Sequence, residues 1–267
     1  MFGPITTSMV PFLFRQRRQV IAFFLSLGIV LGLGLTTPAS ADFPWMQLLL
    51  QGGQYLQLSN VSASQQVQLG QEVNKQLHQQ YKFDNDSQLN AYVNRVGQRI
   101  AAASDCSQFP FHYSIVEDKQ LNAFSTTGGF VYVNSGLVKA VDNESELAGV
   151  LAHETGHICN NDLVHKMRKA ALEQGIATAA GVSQNTLVNL ATQVAVNLPN
   201  SRQVEFNADA KGQKYLVRAG YSPYGMVNFL KKLLNQSSPP IFLSDHPGTK
   251  ERIAVLEKKI ASNASSQ

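Results

Sequence analysis

Glu146-Leu-Ala-Gly-Val-Leu-Ala-His-Glu-Thr-Gly-His-Ile158 is an apolar helical run interrupted by one polar set, His153, Glu154 and His157. Residues four apart project from the same helical face, so His153 and His157 can offer two imidazole nitrogens to one ion. Glu154 lies about 100° from His153 and about 60° from His157 round the helix. It borders the same face and can reach a metal-bound water rather than the metal. A zinc ion lowers the pKa of that water toward neutrality, and a neighbouring carboxylate can accept its proton. His-Glu-x-x-His also arises by chance, so it needs a structural context. An apolar helix supplies one, because buried His and Glu without partners would be costly.

A catalytic zinc needs a third protein ligand and an open fourth position. Asn160 and Leu163 stand where a glycine and a third histidine would follow in one common pattern. Ser201-Arg-Gln-Val-Glu-Phe-Asn-Ala-Asp209 is the better source, with Glu205 and Asp209 again four apart on an expected helix. Glu205 could ligate zinc while Asp209 accepts a hydrogen bond from the distal nitrogen of a ligating histidine. Such a pair alone reads more simply as a solvated face; beside His-Glu-x-x-His it reads as a site. Arg202 lies one turn before Glu205 and could pair with a carboxylate supporting the site or with substrate, the first being the favoured reading. His246 precedes Pro247 in Ser244-Asp-His-Pro-Gly-Thr249, and on residues alone it reads as a turn histidine. His78, His112 and His165 lack partners at ligand spacing and read as surface or core residues.

Around this centre, two amphipathic helices are expected over about Ser62 to Tyr81 and Ser87 to Ala103. Phe109 to Glu117 alternates like a strand. Asn122 to Phe124 and Phe130 to Val133 read as two further short strands around Gly128-Gly129, with a turn at Asn134-Ser-Gly136. From Asn143 the chain reads as helical, with breaks near Gly175, Gly181, Pro199, Gly220 to Pro223 and Ser237 to Pro240. The expected class is α+β, mainly helical, with a small sheet among helices. Gln174 to Ser201 carries no charge and reads either as a helical hairpin on the body or as a mobile cover over a cleft.

The first 41 residues hold Arg15, Arg17 and Arg18, an apolar run from Val20 to Leu35 and the small-x-small triplet Ala39-Ser40-Ala41. That order is expected of a secretory signal peptide, and an uncleaved N-terminal anchor is the competing reading. Three of the 22 basic residues and none of the 18 acidic ones lie there. The formal net charge of +4 therefore belongs largely to the leader, and nothing argues for nucleic acid. Residues 42–61 form an uncharged apolar segment after Asp42, and a polar tail from 263 to 267 is expected to be disordered. Cys106 and Cys159 are the two cysteines; they read either as one disulfide or as isolated buried thiols.

Three separated motifs carry a family resemblance: His153-Glu-Thr-Gly-His157, Ser201-Arg-x-x-Glu205-x-x-Ala-Asp209 and Asn122-Ala-Phe-Ser-Thr-Thr-Gly-Gly129. Together they resemble the M48 zinc peptidases of the Ste24/HtpX type, and more closely their soluble periplasmic branch, over roughly residues 62–260. The resemblance implies a zincin-like (gluzincin) fold in a domain of about 62–262. It implies one Zn2+ per chain on His153, His157 and Glu205, and Glu154 as general base. Asn122, Ala123 and Phe124 would belong to an edge strand at the cleft, where substrate backbone adds as a strand. His246 would match a downstream His-Pro motif, either stabilising the oxyanion or filling the open zinc position. The implied activity is endopeptidase cleavage of unfolded or misassembled envelope proteins, in an exported, periplasmic or extracytoplasmic bacterial protein. A zinc-containing chaperone or assembly factor with an autoinhibited site is the alternative. Peripheral membrane contact and oligomeric state stay open. Asn207 departs from the family, many of whose members have a second Glu there. No counterpart of the membrane spans of the Ste24 and HtpX branches is expected, and no tetratricopeptide-like array is expected after the domain.

Overall fold

A computed structural model describes residues 61–173 and 184–265. The expected leader, nearly all of the apolar segment 42–61, the first ten residues of the uncharged Gln174–Ser201 stretch, and residues 266–267 lie outside the described residues.

Side-chain caps start several of the long helices. Helix α1 (Ala63–Gln80) opens on a reciprocal cap in which Ser62 Oγ accepts from Gln65 N and Gln65 Oε1 accepts from Ser62 N. Asp86 caps α2 (Ser87–Ala102) by accepting from Gln88 N and Leu89 N. Three strands follow: β1 (His112–Val116), β2 (Ala123–Ser125) and β3 (Phe130–Asn134). Their order is β1-β3-β2, with β1 parallel and β2 antiparallel to β3. All five residues of β3 are buried. Val131 and Val133 enter one hydrophobic core, and Phe130 and Tyr132 enter the other, as the two-residue period of a central strand requires.

The first core packs α2, α4 (Glu144–Cys159), α8 (Gly225–Leu234) and α10 (Thr249–Ala264) around one face of the sheet. The second joins α1, α5 (Asp162–Glu173) and α6 (Gln184–Asn197) on the other. Helix α4 is buried from Glu146 to Ile158, which is why it shows little amphipathic periodicity. Asn143 caps it by accepting from Glu146 N at 3.1 Å, and the buried Glu146 carboxylate accepts from Lys232 Nζ at 2.6 Å. Its far end is tied by a disulfide between Cys159 and Cys106, in the loop after α2.

The α+β, mainly helical class is as expected, and among the described residues no helix is long and apolar enough to cross a membrane. Two local expectations need correction. Asn134-Ser-Gly136 is not a free turn, because Ser135–Ala140 is a short helix, α3, that leaves β3 directly. It is held there by Gly136 N and Ser135 Oγ, which both donate to Asp118 O. The expected disordered tail from 263 begins too early. Helix α10 continues to Ala264 because Ile253, Leu256 and Ile260 give it a buried stripe.

Candidate metal centre and cleft

Helix α4 crosses α7 (Arg202–Arg218) at very close range. A Cβ on Gly156 would meet Ala208 O at 2.6 Å, and one on Gly212 would meet Ala152 and His153 backbone at 3.0 Å. Only glycine lets the two backbones approach this far, and the approach sets Glu205 opposite the histidines. Ser201 starts α7 by accepting from Val204 N. His246 arrives from the end of the short helix α9 (Ile241–Asp245), its ring stacked on Phe242 at 4.3 Å.

One ligand atom from each of His153, His157, Glu205 and His246 falls within 4.8 Å of all the others, and all four residues are buried. His153 Nε2 lies 3.1 Å from His157 Nε2, 3.2 Å from Glu205 Oε2 and 3.3 Å from His246 Nδ1. The outward nitrogens are occupied: His153 Nδ1 is 2.9 Å from Asp209 Oδ1 and His157 Nδ1 is 2.8 Å from Asp162 Oδ2. With protons on Nδ1 donated to those carboxylates, the Nε2 lone pairs converge on one point. Imidazoles plus a carboxylate, oriented in this way, fit a zinc-type ion. Glu154 is wholly buried beside the cluster. Its Oε2 accepts from Ser125 Oγ at 2.8 Å, and its Oε1 has no hydrogen-bond partner.

Burial alone would push His157 down, but Glu205 and Asp162 outweigh it and raise it to about 10. His153 is also raised: burial and the Arg252 charge oppose protonation, and Glu205 and Asp209 overcome both. Burial would raise Glu205, yet His246, His153 and His157 hold it well below the ordinary carboxylate range. Because His153 and His157 are both raised, metal binding at these nitrogens would be coupled to proton release.

Asp209 meets His153 as the spacing suggested, but Arg202 does not reach the site. Its side chain is 68% exposed and lies 3.6 Å from Glu251. The arginine that pairs with the site's carboxylates is Arg252. It is 0% exposed, donates from Nε and Nη2 to Asp209 at 2.7 and 2.8 Å, and approaches Glu205 Oε2 at 2.7 Å through Nη1. Its signal in the sequence was a charge in phase with Ile253, Leu256 and Ile260 on an otherwise apolar helix face. Asp162 and Asn200 carry no such signal in the sequence; Asn200 Nδ2 donates to Glu205 Oε1 at 2.7 Å. His78 and His112 instead stack on Phe83 and Phe130, and neither these two nor His165 belongs to the cluster.

The cleft over this cluster has β2 as one wall, with Leu163, Lys166, Val196 and Leu198 facing it. Asn134 N donates to Asn122 O, and Thr126 N to Phe130 O, so residues 122, 124 and 126 turn their backbone groups to β3. Ala123 and Ser125 therefore turn theirs to the open edge. Ala123 N is met by its neighbour Asn122 Oδ1, and Ala123 O by His246 Nε2 at 3.3 Å. Asn122 Nδ2 donates to Asp245, which braces the His246 segment against the strand. The Phe124 ring stacks on Tyr132 at 4.9 Å. The end of α6 thus lines the cleft while its buried Leu187, Leu190, Ala191 and Val194 pack on the body.

Residues 87–260 match the model of peptidase family M48. The chain is 31% identical over 213 residues to the beta-barrel assembly-enhancing protease of Escherichia coli, covering 73% of this chain and 44% of that protein. It therefore spans less than half the length of that relative. It is 26% identical over 246 residues to the mitochondrial metalloendopeptidase OMA1 of Schizosaccharomyces pombe, covering 83% of this chain and 73% of that protein. Similarity to the Escherichia coli metalloprotease LoiP is 29% over 164 residues, covering 58% of this chain and 64% of that protein. The convergent His and Glu side chains and these matches lead to one conclusion: the chain belongs to peptidase family M48.

Proposed function

We propose that the chain is a zinc-dependent endopeptidase that cleaves unfolded or misassembled proteins of the cell envelope. The observation that carries this reading is the buried convergence of His153, His157 and Glu205 beside an unpartnered Glu154 Oε1. His153, His157 and Glu205 would hold the ion. When bound, zinc supplies Lewis acidity, bringing the pKa of a coordinated water toward neutrality and polarising a carbonyl. Glu154 accepts a proton on Oε1 and returns it to the leaving nitrogen. Ser125, through its outward N–H and C=O, holds an extended chain as an added strand. Asp209 and Asp162 keep the two imidazoles in the ligating tautomer. The charged, apolar and small-residue order of the first 41 residues supports export, and similarity to a protease named for beta-barrel assembly supports envelope substrates. The test is metal removal: stripping the protein with 1,10-phenanthroline should abolish cleavage of unfolded casein, and added zinc should restore it. Undiminished cleavage by metal-stripped protein would sink the reading.

One observation favours a second reading, an autoinhibited site. His246 Nδ1 lies within the ligand cluster at 3.2 Å from Glu205 Oε2, while its Nε2 meets Ala123 O, an acceptor on the substrate edge. In this reading His246 would serve as a fourth ligand and cover part of the strand. His246→Ala should keep its zinc and cleave casein several-fold faster. A loss of about 100-fold or more would instead assign His246 to stabilising the oxyanion.

A further inference from the structure

The backbone of Ser125 accounts for its place on the substrate edge, but its side chain makes a separate contact. Because side chains alternate along a strand, Ser125 shares a face with the wholly buried Ala123, while Phe124 turns the other way onto Tyr132. That face looks onto α4, and it brings Ser125 Oγ to 2.8 Å from Glu154 Oε2. The other oxygen, Oε1, is buried, has no hydrogen-bond partner, and lies 3.6 Å from His246 Nε2 at the cleft. The terminal torsion of a glutamate is broad and roughly twofold. Without a bond to one oxygen, nothing else among these contacts distinguishes which oxygen faces the cleft.

We infer that Ser125 is a positioning residue for Glu154, its hydroxyl holding Oε2 against the strand so that Oε1 faces the substrate. This rests on the peptidase reading above. The hydroxyl donates to Oε2 whether Oε1 is bare or protonated, so the proton is taken up and released at one oxygen. Ser125 keeps its own proton throughout. The strand that receives the substrate backbone thereby also orients the base, and one residue sets the register between them. Binding depends on the Ser125 backbone and proton transfer on its side chain, so substitution should separate the two.

The experiment uses full-length protein and a fluorogenic unfolded peptide, with zinc content and melting temperature measured alongside kcat and KM. Ser125→Ala should lower kcat about tenfold, the scale of one hydrogen bond to a charged group. KM and zinc content should be unchanged. Ser125→Thr, which keeps the hydroxyl, should recover most of the lost kcat. An unchanged or raised kcat in Ser125→Ala, a change confined to KM, a loss of zinc, or failure of threonine to rescue would each overturn the inference. Glu154→Gln separates the two levels. If it is inactive while Ser125→Ala is normal, only the positioning role falls; if it still cleaves, the peptidase mechanism and this inference fall together.

Discussion

Glu154→Gln is expected to keep the metal and lose cleavage by about 10²- to 10⁴-fold, the range general acid–base catalysis spans. The side chains that converge in the proposed metal site are His153, His157, Glu205 and His246. Removing the Glu154 charge therefore takes no donor from it. Glutamine has nearly the same shape, so the wholly buried position does not collapse into a cavity. Its amide oxygen can still accept from Ser125 Oγ. The lost capacity is proton acceptance, since an amide cannot take the proton that a carboxylate takes and returns. The measurement is zinc content by elemental analysis together with casein cleavage. Near-wild-type cleavage at full zinc would mean that Glu154 is not the base.

Two helical pairs make the centre of this site legible in the sequence. His153 with His157, and Glu205 with Asp209, each sit four residues apart, and a helix converts that spacing directly into a shared face. The structure brings both pairs together in one buried cluster and its hydrogen bonds. The sheet was legible too, because β3 is a continuous apolar run and β2 a short strand beside glycines. What spacing could not supply were contacts made through turns and distant elements. Asp162 reaches His157 because Asn161 takes a left-handed backbone, φ 58°, that reverses the chain just after α4. Asparagine tolerates that conformation better than most residues, but sequence does not announce which ring the next carboxylate will meet. Arg202 and Arg252 show the same limit from opposite sides. The arginine near Glu205 in sequence points to solvent, and the one 47 residues beyond it enters the core.

Arg252 carries the second large expected effect. Its guanidinium is the cation set between Asp209 and Glu205, and its Nη1 also donates to His246 O at 3.1 Å. Burial would raise Asp209, but the Arg252 charge and the bonds from His153 and Arg252 hold it below its ordinary range. Arg252→Ala leaves two buried carboxylates without that cation. Breaking a buried pair this way costs about 3–5 kcal/mol, or roughly 10 °C in melting temperature for a domain of this size. The loss should depend on metal. In metal-free protein Glu205 is left with its histidine neighbours alone, whereas a metal ion held by Glu205 would compensate that carboxylate directly. Zinc should therefore raise the melting temperature of Arg252→Ala more than that of the wild type, by linkage between binding and folding. Arg252→Lys should recover only part of the loss, since an ammonium cannot form the paired bonds to Asp209. Thermal melts with chelator and with zinc measure all three proteins. If the Arg252→Ala loss were as large with zinc as with chelator, Arg252 would not be holding the empty site together.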